Sequence, residues 1–285
     1  MFQLIWLKID EGFSNLENFL AVVFVIGAYV VLSLLFRRLM YGPIQEKAIS
    51  VKNYVIPSKN RTHIEGVLSK YFPYYLALDT GLKKSFILRV EVFLEIKQFI
   101  PRHMNANADI NILIAASAAQ LSFGLKNYEI LHFDKILIYP DSYFSSIREQ
   151  YHQGEVNVKM KLIILSVKSF LLGIQDANDG INIGLHEFAH ALNIDAFITR
   201  RSLFFTKFYK EWQFFAELEM EKINAGQSNF LRKYASTNLQ EMFAVCTENF
   251  FERPVQFKEA MPELYQSMVM VYRQNPLNPK NPLQL

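Results

Sequence analysis

The segment that most limits what this chain can become is Gly184-Leu185-His186-Glu187-Phe188-Ala189-His190-Ala191-Leu192. It is an H-E-x-x-H pattern set in an apolar, helix-compatible run. Positions i and i+4 of a helix share a face one turn apart. His186 and His190 can therefore turn two imidazoles toward one metal ion. Glu187 projects beside that face, within reach of a water on the metal. A catalytic zinc with three protein ligands keeps a fourth position open, lowers the pKa of its water to about 7 and polarises a carbonyl. The adjacent carboxylate can then serve as general base and return the proton to the leaving amine. The competing reading is a solvated helix face that carries these residues by chance. The flanks oppose it: Leu185, Phe188, Ala189, Ala191 and Leu192 belong to a buried surface, where polar side chains need partners.

A chain of 285 residues is long enough for an anchor and one catalytic domain. A net charge of +3 is too small to mark a nucleic-acid surface, so no nucleic-acid partner is expected. Cys246 is the only cysteine, which excludes an intrachain disulfide and fits a reducing compartment. In its helical neighbourhood it reads as a small core residue.

Residues 19–36 carry no charge, enough for a helix about 27 Å long, close to a bilayer's hydrocarbon thickness. The leading segment 1–18 is acidic rather than basic, and Arg37-Arg38 follow the run, so a cleaved signal peptide is disfavoured. A transmembrane helix over 19–38 is the expectation. Arg37, Arg38, Lys47, Lys52 and Lys59 on its second side place the remainder in the cytoplasm by the positive-inside rule. Residues 39–60 read as a juxtamembrane linker, 61–274 as the catalytic domain and 275–285, with three prolines, as a disordered tail.

Within the domain, Thr62 with Glu65 suggests a capping box opening a helix to about 72. Further helices are expected over about 81–99 (capped by Thr80), 109–123 (capped by Asp109), 181–194, 197–223, 238–251 (capped by Thr237 with Gln240) and 254–272. Residues 130–133, 136–139 and 160–167 read as strands, and Asp176-Ala177-Asn178-Asp179-Gly180 as a turn into the metal helix. Zinc peptidases of this type commonly run a strand beside that helix, and an extended substrate can pair with such an edge. The fold class is α+β, mostly helical, with a small sheet.

Two histidines leave a catalytic zinc incomplete. Asn193 and Ala196 stand where a metzincin would have Gly and His, which removes that class. His63, His103, His132 and His152 are scattered and read as ordinary residues. A glutamate on a later helix is expected. One candidate is the run Glu217, Glu219 and Glu221; Glu217 and Glu221 share a face, but that stretch is strongly charged. Glu241 lies in the first turn of an otherwise apolar helix, where a carboxylate is costly unless paired or metal-bound, and it is preferred.

The stretch HEFAHALN, taken with Tyr234-Ala235-Ser236-Thr237-Asn238-Leu239-Gln240-Glu241-Met242-Phe243-Ala244, resembles the zinc peptidases of the Mlc titration factor A family. It is more distantly similar to the protease domain of anthrax lethal factor. The resemblance covers about residues 62–273, including DANDGINIGLHEFAH. It implies a gluzincin-like zinc metallopeptidase. His186, His190 and Glu241 would bind zinc, Glu187 would be the base, and Tyr234 would assist catalysis. A phenol O–H aimed at the developing oxyanion fits that last role. Glu248, one helical repeat below Glu241, could orient a ligating histidine. The expected partner is a peptide or protein substrate. The alternative is a membrane-tethered binding protein that sequesters a regulatory partner and holds zinc mainly for structure.

Overall fold

Two apolar runs, KILIY and LIILS, form the middle of the sheet, because a parallel strand buried on both faces needs a continuous apolar sequence. They are strands β2 (Lys135–Tyr139) and β6 (Leu162–Ser166) of this computed structural model. The structure describes residues 21, 23–25, 27, 60–126, 129–145, 150–200 and 203–284.

Strand β1 (Gln98–Pro101) pairs parallel with β2, and β2 pairs parallel with β6. A shorter strand, β5 (Gly154–Asn157), pairs antiparallel with β6 and ends the sheet, whose order is β1-β2-β6-β5. Strands β3 (Tyr143–Ser145) and β4 (Gln150–His152) make a separate antiparallel pair. The expected strand at 130–133 does not form, and Ile130 turns the chain with φ 49°.

The helices are α1 (Arg61–Tyr71), α2 (Pro73–Ala77), α3 (Thr80–Ile96), α4 (Ala108–Ser122), α5 (Val167–Gln175), α6 (Ile183–Thr199), α7 (Leu203–Asn224), α8 (Leu239–Glu252), α9 (Pro254–Ala260) and α10 (Pro262–Tyr272). A 3-10 turn, Lys233–Thr237, precedes α8. The domain is therefore α+β, mostly helical, with a small sheet, as the sequence predicts. Helix α6 packs against α4, α8 and β5. Its buried residues run round the whole circumference, as expected of a helix apolar on all sides. On α7, Phe205 and Trp212 are fully buried and join Tyr209, Phe243 and Tyr272 in one aromatic cluster of stacked, tilted and edge-on rings.

Three N-caps are asparagines, two of them in place of the predicted Asp109 and Thr237. Asn107 accepts from Asp109 N and Ile110 N, Asn182 from Leu185 N, and Asn238 from Gln240 N and Glu241 N. Asp109 and Thr237 instead sit one or two positions away from the caps. Helix α1 starts at Arg61 without a side-chain cap, and the expected helix 254–272 is broken in two at Pro262.

The single-pass membrane placement with a cytoplasmic domain is corrected. Among the described residues no helix is long and apolar enough to cross a membrane. A span needs about 20 consecutive apolar residues. Of the run 19–36 only residues 21, 23–25 and 27, all helical, are described. The rest of that run, the segment 1–18 and residues 37–59 lie outside the described residues. Residues 1–50 form a unit apart from 51–285.

Residues 275–284 of the tail are ordered, not disordered. Lys280 O accepts from Asp79 N at 2.9 Å, and Pro282 O from Asn275 N at 2.6 Å. Gln274 is fully buried; it accepts from Tyr74 Oη and donates to Gln120 O and Leu121 O. Pro276, Pro279 and Pro282 wall a cavity of about 410 Å³ shared with Phe72, Tyr74 and Glu252.

Candidate metal centre

Helix α6 presents His186 and His190 from its N-terminal half, one turn apart, with ring centroids 4.8 Å apart. Helix α8 begins beside them because Asn238 caps it, and Glu241 stands in its first turn. Glu241 Oε2 lies 3.2 Å from His186 Nε2 and 3.6 Å from His190 Nε2, and the two Nε2 atoms are 3.2 Å apart. Donor atoms about 2.1 Å from one tetrahedral ion are about 3.4 Å from each other. The three observed separations match that triangle. Glu241 Oε2 is moreover buried without a hydrogen bond of good geometry. A trio of two imidazole nitrogens and one carboxylate oxygen thus fits a divalent metal ion. Among the described residues it is the one group of this kind.

Electrostatics point the same way. Burial pulls His186 toward its neutral form, but Glu241 and Glu248 outweigh burial and raise the ring to about 10. Burial pushes the Glu241 carboxyl up, yet the two histidines hold it well below the usual carboxylate range. The pocket therefore favours positive charge between these groups, whether a proton or a metal ion.

Beneath the trio lies a second tier. His186 Nδ1 lies 3.0 Å from Glu248 Oε1, and a proton held there leaves Nε2, which faces Glu241 and His190, free for a metal ion. The other oxygen of Glu248 pairs with Arg232 Nη2 at 2.6 Å, and Arg232 Nη1 donates to Gly180 O. Gly180 has φ +77°, the left-handed turn that DANDG predicts, and its N–H donates to Glu252. Arg232 is a residue sequence reasoning missed. No local pattern marks it, since its partner is on another element.

Glu187 points to the side of α6 facing strand β5. A Cβ at Gly154 would lie 2.6 Å from both Cγ and Oε1 of Glu187, so only glycine lets the strand approach this closely. Burial raises the Glu187 carboxyl, the two histidines lower it, and Glu241 and Glu248 raise it further; the net direction is upward. Gly154 was also missed, because strand β5 (GEVN) has little apolar pattern.

The cleft opens as two adjoining cavities, about 310 Å³ and about 830 Å³. Both are lined by Tyr151, His152, Gly154, His186, Glu187 and Tyr234. Tyr234 stands in the 3-10 turn, half exposed, with its carbonyl held by Thr237 Oγ1 at 2.7 Å. His152, read from sequence as ordinary, lines the cleft, and its Nε2 is buried without a hydrogen bond. Glu217 and Glu221 lie exposed on α7, outside the trio. Cys246 is buried in the core, and burial pushes its thiol well up.

The family model of the glucose-regulated metallo-peptidases M90 matches residues 46–273. The chain belongs to this family. An uncharacterized protein of Synechocystis is 28% identical over 233 residues, covering 75% of this chain and 85% of the relative. Mlc titration factor A of Escherichia coli O7:K1 is 25% identical over 232 residues, covering 72% and 84%. That of Pectobacterium atrosepticum is 27% identical over 206 residues, covering 65% and 76%. The resemblance drawn from HEFAHALN and TNLQE to the titration factor family is thereby established. At the level of the family, M90 membership makes this a metallopeptidase domain, with a His186–His190–Glu241 cluster suited to a divalent metal.

Proposed function

We propose that this M90 chain is a zinc-dependent peptidase of the gluzincin kind, with its catalytic domain over residues 61–274. The observation that carries the reading is the convergence of His186, His190 and Glu241 at zinc-ligand separations, with the buried Glu187 beside them. Two imidazoles and a carboxylate are a known catalytic zinc set. Bound there, zinc supplies Lewis acidity toward a water and toward the scissile carbonyl.

The chain's own residues do the rest. Glu187, with its carboxyl raised by burial, is suited to take a proton from the attacking water and hand it to the leaving amine. Gly154 sets the position of that carboxylate against the edge strand. Tyr234 lines both cavities and can donate its phenol O–H to the developing oxyanion. Glu248 fixes the ring of His186 through Nδ1, and Arg232 neutralises Glu248. The outer edge of β5 offers unpaired backbone to an extended peptide, which would become the next strand of the sheet.

Metal analysis of the purified chain, with peptide hydrolysis measured before and after chelation, tests the proposal. One zinc per chain and hydrolysis restored by zinc are expected. A chain that hydrolyses peptides equally well when stripped of metal refutes it.

A further inference from the structure

The two ends of the cleft differ in chemistry. From that difference we infer that the subsite formed by Leu172, Ile181 and Tyr151 receives a bulky apolar side chain just C-terminal to the scissile bond. The inference rests on the peptidase reading and adds a direction and a substrate class.

Gly154 supplies the direction. Its contact with Glu187 puts this point of the edge strand level with the base. From there β5 runs through Glu155 and Val156 along the smaller cavity, beside His190, Ile194 and Gln240. Antiparallel pairing is the more stable kind per residue. A peptide paired antiparallel to β5 has its N-terminal part beside Val156. Its C-terminal part passes Gly154 into the larger cavity.

That larger cavity is where apolar side chains stand in water. Leu172 is 58% exposed and Ile181 60%, and of the two cavities they line only this one; Tyr151, 74% exposed, lines both and stands where they meet. Leu172 comes from α5 and Ile181 from the turn before α6. Asn182 Nδ2 donates to Gly173 O at 3.0 Å and ties these two segments together, so the two side chains are presented as one surface. Burying such a surface is favourable in proportion to its area. Asp176 and Asp179 stand at its rim, each held in its own turn by a backbone N–H (Asn178 N at 3.2 Å, Ile181 N at 2.8 Å). Their charge disfavours an acidic residue there. The smaller cavity is different: Glu155, buried and bonded to Tyr143 Oη, joins His190, Gln240 and Glu241 in a polar wall.

The test uses peptides that differ only in the residue after the intended cleavage point: Phe, Leu, Ala or Asp. Cleavage by the zinc-loaded chain is mapped by mass spectrometry, and binding of the same peptides to Glu187→Gln is read by fluorescence anisotropy. Phe and Leu should exceed Ala and Asp by about tenfold or more in kcat/KM and in affinity. Leu172→Lys and Ile181→Lys, both at exposed positions, should each reduce that preference and raise the Asp peptide. An apolar preference on the N-terminal side of the cut, no preference, no binding of any peptide, or a preference unchanged in both variants overturns the subsite. A binding preference that both variants reduce, with no peptide cleaved by zinc-loaded chain, refutes the peptidase reading while the apolar subsite stands.

Discussion

Helices α6 and α8 meet at the metal centre but hold it in different ways. Helix α6 offers His186, Glu187 and His190 from its N-terminal half, on a helix buried all round. Helix α8 offers Glu241 from its first turn, at the edge of solvent, and Glu248 two turns deeper, fully buried. The first helix locates its groups through packing on all its sides. The second contributes one acid at its end and one orienting acid within, and needs Arg232 to make the inner acid tolerable. The two helices therefore divide the work of chemistry and of metal retention, and substitutions should separate these functions.

Glu187→Gln should show the largest effect. It removes the base from α6 without touching a ligand, so kcat/KM should fall about a thousandfold while bound zinc is unchanged. Zinc lost in parallel with activity would break the division. Gly154→Ala comes next. Its methyl group would displace the Glu187 carboxylate, and a shift of that size costs up to about a hundredfold in kcat, again with zinc retained. On the α8 side the expectation reverses. Glu248→Gln should weaken zinc affinity by about ten- to a hundredfold in a chelator competition. Arg232→Met should do so less, because the Arg232 side chain is 32% exposed.

The smallest effect concerns Glu252, at the far end of α8. Burial raises its carboxyl to about 8, against the lowering influence of Asn182 and Gly180. Between about pH 4.5 and 8 the folded chain keeps a proton that the unfolded chain has released, so stability falls as pH rises through that window. Measured as Tm from pH 5 to 8, the parent should lose more than Glu252→Gln. Parallel curves would show that this end of α8 carries no such cost.

The sequence exposed α6 more fully than α8, and for a physical reason. Two histidines four apart on an apolar helix define their own geometry, whereas Glu241 was preferred because its helix is apolar and because its stretch resembles the titration factor family. Strands β2 and β6 were legible as continuous apolar runs. Strand β1 merged with the preceding helical pattern, and β5 exists because β6 supplies its partners, information absent from GEVN itself. Asn107 and Asn238 cap helices whose caps were assigned to Asp109 and Thr237, since a side-chain oxygen one or two positions away fits the same pattern. The tail was misread because prolines suggest an open chain, while here they lack N–H groups to satisfy and wall a cavity together with aromatic residues.

That packed tail bears on how the domain can be handled. Gln274 lies just past the last residue of the family match, and its amide joins α4 to Tyr74. A chain cut back to position 273 would lose this clasp, strand Tyr74 Oη beside apolar surface and unroof the hollow behind Asn182. Trimming to the limits of the M90 match would therefore yield a protein weaker than its parent, and anything fused for purification is better attached beyond Pro282.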